Sequence, residues 1–148
     1  MTLELILDEN IMEFSARVEN ETGDGDPTCL GLLNDILRRC DYVHCTVELL
    51  EKYRSMLKRL ESTVRSASAT AKLLEMIMYG GKLKIADNTP ATLQNEQSIP
   101  PDDVYLIRLA VSTNAILVSA DGRLKTRLDE SGLTRTYGLR IMHPSEIR

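Results

Sequence analysis

Apolar residues along the chain follow two rhythms. Some form the short, near-continuous runs of buried strands; others show the three-and-four spacing of helices with one apolar face. Residues 3–7 (LELIL) are the first run and close at Asp8. Residues 12–18 hold a turn or two of helix. Residues 19–27 (ENETGDGDP) predict an exposed loop, with Asp26 as N-cap and Pro27 in the first helical position of a helix to about Cys40. Leu30, Leu33, Ile36 and Leu37 share that helix's apolar face. Residues 42–46 (YVHCT) read as a short strand. Thr46 then caps a long helix with Val47, Leu50, Tyr53 or Arg54, Leu57, Leu60 and Val64 at helical spacing.

Residues 62–70, rich in Ser, Ala and Thr, predict a loop or weak joint before a helix over 71–79, which Gly80-Gly81 ends. A short strand at 82–85 and a polar, Pro-containing loop at 87–101 follow. Pro100-Pro101-Asp102-Asp103 opens a helix over 104–112 with an almost unbroken apolar face. The buried run 115–119 (AILVS) stops at Asp121-Gly122, and a short charged helix spans 123–130. Residues 138–142 (GLRIM) form a last strand, and His143-Pro144-Ser145-Glu146 starts a terminal turn. Strands alternating with helices, without internal repeats, predict an α/β sandwich on a largely parallel sheet. The 148 residues suit one domain, 1–148.

Composition narrows the classes of function. Hydrophobic residues at 43% and charged residues at 27% exclude a wholly disordered chain. No apolar run approaches the roughly 18 residues of a membrane span, and the N-terminal stretch lacks a basic region and the length of a secretory signal. Three cysteines (Cys29, Cys40 and Cys45) cannot all pair and show no CxxC spacing, so a cytoplasmic protein with reduced thiols is expected. With 18 basic against 22 acidic residues the net charge is -4, so nucleic acid would be held by a local basic patch or by metal ions. Aromatic content of 4% without Trp argues against a base-stacking platform.

The acids are the candidate chemistry. Taken singly, Asp8 is a strand-ending turn acid, Asp102 an N-cap, and Asp121-Gly122 a turn pair. Taken together they point elsewhere, because ligands of open α/β sheets collect outside the carboxyl ends of the strands. Asp8 and Asp121 each end a buried strand and Asp103 starts a helix feeding one, so all three can meet at one sheet edge. Such crowding costs stability unless a positive charge sits among them. Oxygen ligands without His or Cys select Mg²⁺ or Mn²⁺. A fourth acid is expected from the helix after Thr46, where Glu48 and Glu51 share roughly one face. Glu48 has the competing role of a first-turn acid on the helix dipole, which favours Glu51 as ligand.

The ordered set of segments resembles the PIN-domain family of VapC-like, metal-dependent ribonucleases. LILDENI (5–11), TVELLEKYRSML (46–57), PPDDVYLIRLA (100–110) and AILVSADGRL (115–124) carry the resemblance, and YGLRIMHPSEI (137–147) is similar to the family's last strand and Pro-led turn. The resemblance implies a three-layer α/β/α sandwich and one ligating acid per segment. Carried over, these are Asp8, Asp103 and Asp121, with Asp103 preferred to Asp102 for its offset to Tyr105, Leu106 and Ala110. Where members often show Glu-Glu-Tyr, this chain has Glu51-Lys52-Tyr53, so Glu51 is assigned the fourth place, with Glu48 as alternative.

The activity implied is endonucleolytic cleavage of RNA with a Mg²⁺ or Mn²⁺ cofactor. Asn10 and Ser119 are candidates to orient a water or an acid. Arg123, Lys125, Lys52 and Arg54 are candidate phosphate contacts, Arg123 and Lys125 foremost because they adjoin Asp121. The family context adds an antitoxin protein and a homodimer as partners, the apolar face over 104–111 leaving room for the latter. A toxin of a toxin–antitoxin pair and an RNA-processing nuclease both fit. The alternatives are a catalytically impaired PIN-like module for RNA or protein binding, with Lys52 as the impairment, and an unrelated phosphotransfer receiver or phosphohydrolase. The two histidines, His44 in a strand and His143 before a proline, offer no metal-free double-His mechanism.

Overall fold

The computed structural model describes residues 2–86 and 91–147; residues 87–90 of the predicted polar loop lie outside the described residues. Strands β1 (Glu4–Leu7), β2 (Tyr42–Cys45), β3 (Leu83–Ile85), β4 (Ile116–Val118) and β5 (Ile141–Met142) form one sheet in the order β3-β2-β1-β4-β5. Every pairing is parallel. Around it lie α1 (Glu9–Arg17), α2 (Thr28–Arg38), α3 (Val47–Glu61), α4 (Ala67–Tyr79), α5 (Val104–Thr113), α6 (Gly122–Glu130) and α7 (Leu133–Tyr137). Helices α1 to α4 pack on one another, and α5 packs against β1 and β4. The fold is a three-layer α/β/α sandwich. Leu5, Ile6, Leu7, Leu117 and Val118 are wholly buried, as parallel strands covered on both faces require. A receiver's order would be 2-1-3-4-5, so the β3-β2-β1-β4-β5 sheet sets the phosphotransfer alternative aside.

Several boundaries differ from the sequence expectation for identifiable reasons. Helix α1 starts at Glu9, three residues early, because Asp8 already occupies its N-cap. Helix α2 starts at Thr28 with Pro27 in the cap position, one residue later than expected, and Asp26 stands just before the cap, its carboxylate accepting from the Thr28 N–H at 2.9 Å. The inward face of α2 is Cys29, Leu32, Leu33 and Ile36, so Leu30 and Leu37 only flank the core. In α3, Thr46 caps as expected, accepting from Leu49 N–H at 3.1 Å, but the buried stripe runs through Leu49, Leu50, Tyr53, Met56, Leu57 and Leu60. Val47 is 58% exposed, and Arg54 leaves the stripe to Tyr53. Helix α4 begins at Ala67 rather than 71, since Ala67 and Thr70 are buried against neighbouring helices. Helix α7, opened by Gly132 at φ 80°, was not expected, and it shortens the last strand to two residues. Leu106, Ile107, Leu109 and Ala110 of α5 are buried in this chain's own core, so the face over 104–111 does not offer a dimer surface.

Two contacts position the chain ends that matter for function. Tyr53 is wholly buried, and its phenol donates to the carbonyl of Leu7. The paired register of β1 with β2 stops at Leu5–Val43, so the phenol serves a carbonyl in the last turn of β1 that would otherwise lie buried without a donor. From within α5, Arg108 donates from Nε at 3.0 Å, and from its terminal nitrogen as well, to Glu96 in the segment ahead of the helix. That pairing holds the Glu96 carboxyl down to about 2 and fixes the segment leading to Asp103. His44, placed in a strand as expected, lies 3.0 Å from Glu4 and is partly buried. Among the described residues no helix is long and apolar enough to cross a membrane.

Removing the Tyr53 hydroxyl should therefore loosen the end of β1. Tyr53→Phe is expected to cost about 1–2 kcal/mol and to lower the thermal midpoint by a few degrees, read by circular dichroism. A midpoint equal to that of the parent would show that the buried carbonyl finds another donor.

Candidate functional site

Strand β1 lies between β2 and β4, so the chain runs outward one way through β2 and β3 and then returns to the other side of β1. That reversal opens a crevice at the carboxyl ends of β1 and β4, the switch point where α/β sheets bind ligands. Helices crossing back over a parallel sheet run against the strands, so the N-termini of α1, α3, α5 and α6 face the same edge. Asp8 is the N-cap of α1, Asp103 of α5 and Asp121 of α6. Three acids distant in sequence thus start three helices around one crevice.

Only one of the three acts as a cap. The Asp121 carboxylate accepts from the Arg123 N–H at 2.9 Å and is forked by the Arg123 guanidinium at 3.1 and 3.2 Å. That guanidinium holds the Asp121 carboxyl below its usual range. Asp8 and Asp103 make no capping hydrogen bond. Asp8 is 8% exposed, and its carboxyl is pushed up to about 6, chiefly by burial, with the Asp103 and Glu9 charges adding to the rise. The Asp103 carboxyl is also raised, first by burial and then by Asp102, Asp121 and Glu9. Among the described residues no lysine or arginine pairs with Asp8 or Asp103.

The side chain of Asp8 is fixed by neighbours on two elements. Ser119, just past β4, donates to its Oδ2 at 3.0 Å, and Asn10 Nδ2 approaches the same oxygen at 3.4 Å. Asn10 also donates to Ser119 Oγ at 3.2 Å and accepts from the Ala120 N–H at 3.2 Å. The Asp121 N–H donates to Ser119 Oγ at 3.2 Å. Asn10 and Ser119 therefore clamp the ends of β1 and β4 together and hold the Asp8 carboxylate in one orientation.

The other expected residues fall into distinct places. Asp103, Asp121, Arg123 and Arg127 share one cavity of about 250 Å³ with Pro100 and Leu124. Asp102 is exposed beside it. Glu48 and Glu51 lie with Glu9 and Lys52 along a neighbouring groove of about 350 Å³. The Glu48 charge reaches the Tyr105 phenol, as do those of Glu9, Asp8 and Asp103, which together with burial raise its pKa. Among the described residues, no three His, Cys, Asp or Glu side chains already stand close enough to hold one ion. The acids share a crevice and a field, not a finished cage.

Of the basic candidates, Arg123 borders both the Asp103–Asp121 cavity and a larger cleft of about 820 Å³ walled by Phe14, Glu21, Thr126 and Arg127. Lys125 is exposed on the same helix. Lys52 rests on Tyr105. Arg54 is the misplaced one. It reaches Met78 Sδ at 3.3 Å in the groove between α3 and α4, two residues along the helix from Lys52 and so on the side away from it. Arg127, a candidate phosphate contact from sequence beside Arg123 and Lys125, lines the same cavity, whereas Glu9 and Tyr105 were given no part in the site from sequence. Glu9 adjoins Asp8 in the first turn of α1, and Tyr105 follows Asp103 by two, so adjacency was the available signal.

The same fold occurs in solved complexes of known proteins. One is VapBC2 from Rickettsia felis bound to a DNA fragment from its promoter, at 16% identity and a TM-score of 0.56, covering 95% of this chain and 98% of that one. Another is FitAB bound to an IR36 DNA fragment, at 13% identity and a TM-score of 0.57, covering 97% of each chain. At such identity the likeness establishes the fold. No family model and no curated protein matches the sequence.

The buried carboxylate makes stability depend on pH in a definite sense. Between about pH 4 and pH 6 the folded chain keeps the Asp8 proton that the unfolded chain, titrating near 3.8, has released. Stability is therefore lost as pH rises through this window, by up to about 3 kcal/mol for a shift of two units. Asp8→Asn keeps an acceptor for Ser119 and removes the charge. It is expected to melt above the parent at pH 7 and to match it near pH 4. Parallel melting curves at both pH values would show that the Asp8 charge is not destabilising.

Proposed function

We propose that this chain is a Mg²⁺- or Mn²⁺-dependent endoribonuclease, with Asp8, Asp103 and Asp121 as ligands and Glu51 or Glu48 as the fourth acid. The observation that carries the reading is Asp8: a buried carboxylate at the switch-point crevice, raised by its burial and by a second carboxylate, and paired with no cation among the described residues. A fold retains such crowding where a cation relieves it, and an all-oxygen donor set suits a hard dication. When bound, that ion supplies Lewis acidity toward a water and the scissile phosphate.

The chain's own residues supply the remainder. Ser119 and Asn10 hold Asp8 in one orientation, which lowers the ordering cost of ligation. Asp121 would serve as one of the ion's ligands, and Arg123, which now pairs with it, would then be free to meet a phosphate. Arg127 lines the same cavity and offers a second positive charge to the RNA backbone. These contacts are to phosphates and carry no base readout. Asp8 is deprotonated, and so able to ligate, above about pH 6.

The fold shared with the VapBC2 and FitAB complexes, together with the sequence resemblance, supports a toxin whose antitoxin is a separate protein. A homodimer would use a surface other than the α5 face. The second reading, a PIN-like module without catalysis, is favoured by the absence of an assembled trio of ligands among the described residues and by Lys52 in the acidic groove.

Incubation of the purified protein with several labelled structured RNAs separates the two. The nuclease reading expects cleavage with Mn²⁺, none with EDTA, and a loss of at least about a hundredfold in both Asp8→Asn and Asp121→Asn, with folding retained. Glu48→Gln and Glu51→Gln, run side by side, identify the fourth acid by the larger loss. RNA binding without metal-dependent cleavage on any substrate would establish the non-catalytic module instead, and cleavage surviving both Asp substitutions would refute the assigned ligands.

A further inference from the structure

The side chain of Lys52 lies in a groove with Glu9, Glu48 and Glu51, yet it forms an ion pair with no acid among the described residues. Its ammonium sits instead over the ring of Tyr105, 3.9 Å from the centroid. The two residues come from different elements, Lys52 from the second turn of α3 and Tyr105 from the start of α5, so the contact bridges two walls of the crevice. Tyr105 follows Asp103 by two residues at the start of α5, and Glu9, Glu48 and Glu51 line the same groove as Lys52. An ammonium seated on an aromatic face keeps its charge and is partly desolvated, which strengthens its field on nearby groups. Paired to one glutamate it would largely cancel that charge alone; from the ring it acts on the whole set.

We propose that Lys52, perched on Tyr105, is the built-in counter-cation of the acidic crevice, neutralising part of its charge before any metal ion arrives. Its first consequence concerns the metal-free protein. Repulsion among Asp8, Glu9, Glu48 and Asp103 is tolerated partly because a positive charge stands in the groove beside the glutamates. The second rests on the metal-dependent reading above: an incoming dication meets a like charge already in place, so the site binds its ion more weakly than the acids alone would. Lys52 is on this account a positioning residue for the charge balance and ligates nothing.

The test uses the full chain carrying Lys52→Gln, Lys52→Arg or Lys52→Glu, and Lys52→Gln combined with Asp8→Asn. Thermal midpoints are measured in EDTA, and Mn²⁺ binding by titration calorimetry. In EDTA, Lys52→Gln is expected to melt about 2–4 °C below the parent, Lys52→Arg close to it, and the loss to shrink by about half when Asp8 is already neutral. Mn²⁺ should bind about three- to tenfold more tightly to Lys52→Gln and more tightly still to Lys52→Glu. Equal losses in both backgrounds without rescue by Arg would reduce Lys52 to a packing residue and overturn the proposal. So would midpoints and Mn²⁺ affinities unchanged within twofold throughout. The two readings fail separately. Charge coupling in EDTA with no Mn²⁺ bound by any variant keeps the counter-cation and removes the metal; Mn²⁺ binding weakened by Asp8→Asn but indifferent to Lys52 does the reverse.

Discussion

A carboxylate withdrawn from water at the end of the central strand is the constraint around which this molecule is arranged. Burial alone accounts for the largest part of the rise in the Asp8 carboxyl, and the neighbouring Asp103 charge adds to it. Such a group is costly to keep, since the charged form loses solvation and gains only neutral hydrogen-bond donors. The contacts around it show why the position nevertheless holds. Ser119 and Asn10 bind the carboxylate, Asn10 also accepts from Ala120, and Tyr53 secures the preceding carbonyl. The residues that satisfy Asp8 are thus the ones that join β1 to β4 at the switch point. Orientation of the acid and closure of the sheet's reversal are one structural event.

The three acids look alike in sequence because all three stand at helix N-caps, and an acid there is stabilised whether or not it has further work. The structure separates them by what their oxygens do. Asp121 caps its helix and is held low by Arg123. Asp8 and Asp103 occupy cap positions without capping, and both are raised. An N-cap acid that leaves the helix N–H groups unserved and accepts desolvation instead is poorly explained by helix stability. That contrast, more than the number of acids, marks the crevice as a place where a ligand is expected.

Much of this was legible in the sequence, and the illegible parts share a cause. Strand positions were readable because buried parallel strands leave runs such as LILD and AILVS, and Thr46 was readable as a cap because its side chain serves only local N–H groups. Helix faces were less so. Val47 fits the apolar spacing but points outward, and Leu30 only flanks the core, since inward direction is decided by neighbouring helices such as α1 and α4 that periodicity does not contain. The short α7 carries too few apolar residues to show a period. At the site, the ordering of the acids was readable, and their protonation was not. Charge on Asp8 depends on Ser119 and Asp103, which are 111 and 95 residues away in the chain.

Charge distribution around the crevice also separates its two sides. On the α6 side, Arg123 and Arg127 border the acids and open onto the larger cleft, and Arg123 is spent on Asp121 in the ligand-free protein. On the α3 side, Lys52 is held on an aromatic ring beside Glu48 and Glu51. Asp8 and Asp103 lie between these cations and are paired with neither. An anionic chain approaching the crevice therefore finds positive charge on both rims, Arg123 and Arg127 on one and Lys52 among the exposed Glu48 and Glu51 on the other, although the protein as a whole carries a net charge of -4. Screening over a Debye length of roughly 8–10 Å makes the rims, not the overall charge, the field that such a ligand feels at contact. An acidic protein can in this way present a site to phosphates, provided the carboxylates at its centre are covered by a cation when the phosphate arrives.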